Sequence, residues 1–204
     1  MRLFVAVPVS EETRAAAAEV RRRLEAADAQ ASRGVKWVPA ANMHLTLKFI
    51  GEFPAARVPS VLEPLAEVAA VHAPFRVVLS GVGTFPRGQR PRVIWIGAGE
   101  GEKNLVALAE NVDRALVRAG VAAETRPFAA HLTVGRLREE RDGGTVVSAA
   151  FLRALRDMAV LHGGTSTIGR MTLFESTLGP GNPVYRAVET FELGGGRAPE
   201  NRTP

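Results

Sequence analysis

The chain has 204 residues, a formal net charge of +5 and 46% hydrophobic residues, which suits one large domain or two small lobes with an ordinary globular core. It carries no cysteine, excluding a disulfide framework, a thiol nucleophile and a cysteine metal site, and it has no apolar run long enough to span a bilayer. A cytoplasmic location fits this composition. The basic residues are nearly all arginine, with lysine only at Lys36, Lys48 and Lys103. Arginine grips phosphate in a planar, two-pronged way, so the modest positive field favours an anionic partner such as RNA. GC-rich coding produces the same Ala-, Gly- and Arg-rich bias, so charge alone decides little.

In chain order, Leu3 to Val9 reads as a strand and not a signal peptide, since it lacks a basic start and a cleavage site. Ser10 is placed to cap a helix over Glu11 to Leu24. A loop around Gly34 and Pro39 leads to a strand over Met43 to Ile50. Val58 to Val71 is helical, with Pro64 set to kink or divide it. Phe75 to Val82 is a strand, followed by the turn-rich Thr84 to Pro91. Val93 to Ile96 is strand-like, and Lys103 to Ala119 is a helix with Leu105, Leu108, Val112, Leu116 and Val117 near its period, stopped at Gly120. Past Pro127 come a strand over Ala130 to Leu137 and a helix over Val147 to Met158. Strands over Thr167 to Ser176 and Val184 to Phe191 follow, separated by the turn-rich Gly179 to Pro183. From Gly194 onward the chain is Gly-, Pro- and Arg-rich and reads as a disordered tail over 194–204. Strand–helix–strand occurs twice without regular alternation, which predicts α+β with antiparallel sheets in two similar lobes.

Within the two equivalent strands lie near copies of one motif, His44-Leu45-Thr46-Leu47 and His131-Leu132-Thr133-Val134. They use two of only four histidines and stand 131 − 44 = 87 positions apart, too far for a solenoid repeat. A strand alternates its side chains, so each motif presents an imidazole and a hydroxyl on one face and aliphatic residues on the other. A pseudo-twofold relation between the lobes would bring the two fronts together. Two imidazoles titrating near neutrality can serve as base and acid on a phosphodiester without metal. Thr46, Thr133 and Arg136 have the chemistry to hold the charge that develops on the phosphate oxygens. Zinc wants carboxylate or cysteine partners at short spacing, and neither motif holds any, so no metal site is expected. His72, before Pro74, reads as a helix-capping or surface residue, and His162, beside Gly163-Gly164, as a loop residue.

With Trp37-Val38-Pro39 leading into the first motif and Arg126-Pro127-Phe128 before the second, the chain resembles the 2H phosphoesterase superfamily. Within it, the chain resembles the RNA 2′,3′-cyclic phosphodiesterases, also called 2′-5′ RNA ligases, from Met1 to about Leu193. The resemblance implies an α+β fold of two pseudo-symmetric lobes, each an antiparallel sheet with flanking helices, around a central cleft. It also implies a single bilobal domain over 1–193, no metal or cofactor, and opening of a 2′,3′-cyclic phosphate at an RNA end to a 2′-phosphate, with reversible 2′-5′ ligation in some relatives. His44 would protonate the leaving 3′ oxygen and His131 would activate water. Thr46, Thr133 and Arg136 would bind phosphate, Arg136 completing a His-x-Thr-x-x-Arg form. Strict alternation sets Arg136 opposite His131, so it needs a bulge, for which Gly135 offers freedom. Lys48 shares the His44 face by alternation, as a phosphate contact or a solvated edge lysine. Phe49 falls on the core side, for packing or for stacking on a terminal base. Tyr185 either lines the cleft or anchors the last strand. Arg87, Arg90 and Arg92 either receive an RNA backbone or form an ordinary basic loop. The partner is RNA with a cyclic phosphate end, the expected state a monomer, with no membrane association. The competing readings are a module that binds a nucleotide or RNA end without turnover, and a phosphodiesterase on another cyclic phosphate or a 2′-5′ linkage.

Overall fold

The computed structural model describes residues 1–137, 147–179 and 182–194. The tail expected from Gly194 onward, beyond Gly194 itself, and the middle of the turn-rich Gly179 to Pro183 lie outside the described residues. The strands are β1 (Arg2–Pro8), β2 (Val35–Trp37), β3 (His44–Glu52), β4 (Phe75–Phe85), β5 (Val93–Ala98), β6 (His131–Leu137), β7 (His162–Ile168), β8 (Arg170–Thr177) and β9 (Val184–Glu192). The helices are α1 (Glu11–Ala27), α2 (Ala29–Arg33), α3 (Pro59–Val71), α4 (Glu102–Arg118) and α5 (Ala149–Asp157).

The strands form one antiparallel sheet in the order β7-β4-β5-β6-β3-β1-β8-β9, with β2 added beside β6. Its halves meet at the two histidine strands, which pair at Leu45 and Leu132 and then diverge, β3 following β1 and β6 following β5. Counted outward from that seam, β6 matches β3, β5 matches β1, β4 matches β8 and β7 matches β9, the pattern of a pseudo-twofold axis. The helices cross over it. The helix α1 leaves β1 but packs on β7 and α5, and α4 leaves β5 but packs on β3 and α3. Each lobe's core is thus closed by the other half of the sequence, with Val20 and Leu24 of α1 and Leu105, Leu108, Val112 and Leu116 of α4 all fully buried. Fully burying one such side chain stabilises the fold by about 1.5–3 kcal/mol.

Local chemistry sets most element ends. The Ser10 hydroxyl accepts from the Thr13 N–H at 3.1 Å, Ser148 does the same for Phe151 at 3.1 Å, and Gly120 ends α4 at φ +84°. Four details differ from the sequence expectations. The loop around Gly34 instead contains α2, capped by Asp28 accepting from the Ala31 N–H at 2.8 Å, and β2, paired to β6. The strand expected over Thr167 to Ser176 is two strands broken at Gly169, β7 joining β4 in one lobe and β8 joining β1 in the other. Pro64 lies inside an undivided α3, at the cost of one backbone hydrogen bond. Val117, expected on the buried stripe of α4, is 40% exposed, and Ala109 and Ala115 complete that stripe.

Candidate active site

The seam builds the site. Leu45 and Leu132 face each other in an antiparallel pair, so one step either way sets His44 across from Thr133 and Thr46 across from His131. Leu45 and Leu132 point into the core, 1% and 0% exposed, so all four polar side chains share the opposite face. The two histidines stand diagonally across this one pair, on the same face of the seam. Neither threonine hydroxyl has a hydrogen-bond partner among the described residues.

Each imidazole is held the same way. His44 Nδ1 lies 2.8 Å from the Asn42 carbonyl oxygen, and His131 Nδ1 lies 2.7 Å from that of Ala129. A carbonyl only accepts, so Nδ1 carries the hydrogen and Nε2 of the neutral ring keeps its lone pair for the cleft. Burial, with a smaller push from the Arg136 charge, outweighs the carbonyl bond and brings His44 down to about 4. Burial also lowers His131, again against its carbonyl bond and with Arg136 acting in the same direction. The Arg136 charge is felt by both rings and by Tyr185.

After Thr46 and Thr133 both strands bulge. On β3, Thr46 faces Ala6 while Lys48 faces Val5, so Leu47 is the extra residue. On β6, Thr133 faces Trp95 while Gly135 faces Ile94, so Val134 is extra. A bulge reverses the alternation beyond it. Arg136 therefore turns outward on the His131 side and is exposed. The same shift overturns two expectations on β3. Lys48 turns inward, 5% exposed, and its ammonium is held by Asp113 at 2.5 Å and the Ala122 carbonyl at 2.8 Å, so it is not a phosphate contact. Phe49 is not a core residue but 61% exposed, on the His44 side and 6.1 Å from Phe4. Gly135 is not what permits the bulge, since β3 bulges without glycine. A Cβ there would stand 2.6 Å from Val35 Cγ1 and 2.9 Å from the Trp37 ring, so glycine lets β2 lie close.

The remaining candidates divide. Tyr185, on β9, stands edge-on to Phe4 at 5.0 Å and to His44 at 5.3 Å, with its hydroxyl pKa raised by burial. Arg87 and Arg90 are exposed in the segment between β4 and β5, and neither is tied by a hydrogen bond or ion pair to another described residue. Arg92 is exposed there too, its backbone N–H closing the loop onto the Phe85 carbonyl at 2.7 Å. His72 caps α3, with Nδ1 2.8 Å from the Val68 carbonyl oxygen. His162 is not in a loop but opens β7, near Glu12 at 3.9 Å. No group of three or more His, Cys, Asp or Glu that could hold a metal ion occurs among the described residues.

Sequence reasoning missed the supports. Phe4 stacks on His44 at 4.9 Å, Phe174 on Phe4 at 5.2 Å, and Phe85 meets His131 edge-on at 5.3 Å. Asn42 holds the His44 ring through its carbonyl and, through its side-chain N–H, the Pro183 carbonyl at 2.8 Å beside Tyr185. No single-strand pattern announces the aromatic contacts, because each joins residues distant in sequence, and the Asn42 carbonyl is a backbone group with no residue signature.

Twin imidazoles on a pseudo-twofold seam, each with a threonine hydroxyl across the strand, define the chain as a two-histidine (2H) phosphoesterase. The sequence matches the family "LigT like Phosphoesterase" twice, over residues 7–95 and 96–185, and the chain belongs to that family. Among its relatives, proteins named RNA 2′,3′-cyclic phosphodiesterase are 35% identical in Aquifex aeolicus, covering 78% of this chain and 82% of that one, and 34% identical in Archaeoglobus fulgidus, covering 94% and 100%. The crystal structure of TT0787 of Thermus thermophilus aligns with a TM-score of 0.76 at 30% identity, over 97% of this chain and 100% of that one. Escherichia coli LigT complexed with 3′-AMP shares the fold, with a TM-score of 0.67 at 24% identity over 94% and 97%.

Proposed function

We propose that this protein is a metal-independent RNA 2′,3′-cyclic phosphodiesterase that opens the cyclic phosphate at an RNA end to a 2′-phosphomonoester. The reading is supported by two imidazoles on one face of the seam, each with its Nδ1 bound to a backbone carbonyl and its Nε2 left for chemistry. The names of the relatives supply the substrate class. The cyclic phosphate lies between the imidazoles, its non-bridging oxygens accepting hydrogen bonds from Thr46, Thr133 and the Arg136 guanidinium. His131 Nε2 takes a proton from water as the water oxygen bonds to phosphorus. The bond from phosphorus to the 3′ oxygen breaks, and His44 Nε2 delivers the proton that this oxygen needs. One proton moves from His44 to His131 per turnover, and solvent restores both. Burial and, less strongly, Arg136 disfavour the protonated rings. The arriving phosphate anion offsets Arg136 and lets His44 carry the proton it must give.

The terminal base rests against Phe49 and Tyr185, the aromatic groups beside His44. The proposal includes the reverse reaction, 2′-5′ ligation, and a monomer acting in the cytoplasm; no helix among the described residues is long and apolar enough to cross a membrane. The test is an oligonucleotide ending in a 2′,3′-cyclic phosphate, incubated in EDTA, with the product identified as the 2′- or the 3′-phosphate. A 2′-phosphate is expected. Loss of turnover on chelation with recovery on adding a divalent ion, or a 3′-phosphate product, would overturn the mechanism.

A further inference from the structure

On the His131 side an aromatic pair extends beyond the imidazole it supports. Phe85 is 39% exposed, edge-on to His131 and 5.1 Å from the Trp95 ring at a tilt of 34°. Trp95 stands between Thr133 on β6 and Gly83 on β4. A Cβ on Gly83 would fall 2.3 Å from the indole, so the ring lies flat on the backbone there. The indole Nε1 is buried without a hydrogen-bond partner among the described residues. The result is an apolar aromatic floor beside the Thr133 hydroxyl, open on its Phe85 side.

A cyclic phosphate end brings one nucleoside, whose base Phe49 and Tyr185 can receive beside His44. The nucleophile enters on the other side, and water needs no aromatic surface. Exposed rings beside a phosphate site stack on nucleobases, each of which has a π face. We propose that Phe85 and Trp95 form a second nucleobase platform, on the His131 side of the phosphate, for a nucleoside whose 5′ oxygen takes the place of water. This deepens the reading of the cleft as a cyclic phosphodiesterase and rests on it. In the forward step the 5′ oxygen bonds to phosphorus, its proton passes to His131, the bond to the 3′ oxygen breaks and His44 protonates that oxygen. A 2′-5′ diester forms with no change of oxidation state. Run backward, the same step cleaves a 2′-5′ linkage into a cyclic phosphate and a free 5′ hydroxyl. The exposed Arg87 and Arg90 follow Phe85 in the chain, where the second nucleotide's own backbone would continue.

The test is a ratio: kcat/KM for cleaving a 2′-5′-linked dinucleoside monophosphate over kcat/KM for hydrolysing a nucleoside 2′,3′-cyclic phosphate. Both reactions use His44 and His131 with acid and base exchanged, so each kcat/KM is taken at its own pH optimum, where a misplaced ring slows both reactions and loss of stacking slows only the cleavage. Phe85→Ala is expected to lower the ratio about 5- to 150-fold, the range for losing one stacked base. Phe85→Tyr, which keeps a π face, restores it, whereas Phe85→Leu, which keeps only apolar bulk, does not. An unchanged ratio in Phe85→Ala, or leucine serving as well as tyrosine, overturns the platform. So does a wild-type protein that hydrolyses the cyclic phosphate but leaves the 2′-5′ linkage intact. A wild-type protein that opens neither substrate brings down the cyclic phosphodiesterase reading itself.

Discussion

Removing Asp113 should destabilise the protein far more than removing Lys48, the lysine that alternation alone would have sent to the phosphate. The Lys48 ammonium is buried and has Asp113 and one carbonyl for partners. Asp113 is 24% exposed and also accepts from the Glu124 N–H at 3.1 Å. Asp113→Ala therefore strands a cation away from water, for which about 3–5 kcal/mol is the usual cost. Lys48→Met keeps the apolar stem, removes the charge and leaves Asp113 with water and Glu124, so about 0–1.5 kcal/mol is expected. The double variant should resemble Lys48→Met, because the stranded charge is gone; the coupling then equals the cost of Asp113→Ala alone, about 3–5 kcal/mol. Urea unfolding with unchanged m-values measures all three stabilities, and kcat/KM on folded protein tests the second half. Lys48→Met should leave kcat/KM unaltered. A raised KM with undiminished stability would return Lys48 to the phosphate, and equal costs for the two single variants would refute the stranded-charge argument.

His44→Ala and His131→Ala should each slow turnover by about 10²- to 10⁴-fold while RNA-end binding persists, measured by single-turnover kinetics beside equilibrium binding; near-normal turnover in either variant would remove that ring from the mechanism. The pH profile of kcat/KM reports the free enzyme, where both histidines lie below 6.5 and His44 lies near 4. Its bell should therefore fall on the alkaline side before pH 6.5, while that of kcat, measured with the phosphate anion bound, should extend to higher pH. Arg136→Met removes a charge that disfavours both imidazoliums, so the alkaline limb of kcat/KM should move up in pH; an unmoved limb would detach Arg136 from the rings. Gly135→Ala should cost about 1–3 kcal/mol in thermal unfolding through overpacking, because its Cβ collides with Val35 and Trp37. A neutral result would mean that β2 yields easily.

What sequence alone determined is local. The alternation of His44 with Thr46 and of His131 with Thr133, the Ser10 cap and the Gly120 stop each involve neighbours within one strand or one turn, so side-chain geometry and backbone freedom expose them directly. The doubled motif also implied a twofold arrangement, since one chemistry repeated in one frame serves little purpose unless the copies meet. Tertiary structure decided what depends on pairs of strands. Alternation describes a single strand, but a bulge arises between two, and the bulges at Leu47 and Val134 turned Lys48 inward and Phe49 and Arg136 outward. The aromatic walls behind the histidines come from β1, β4, β8 and β9, brought together by a sheet that closes across the seam. The lowering of both ring pKa values likewise arises only there, because desolvation needs the packed sheet and Arg136 of β6 comes near His44 of β3 only where the lobes join.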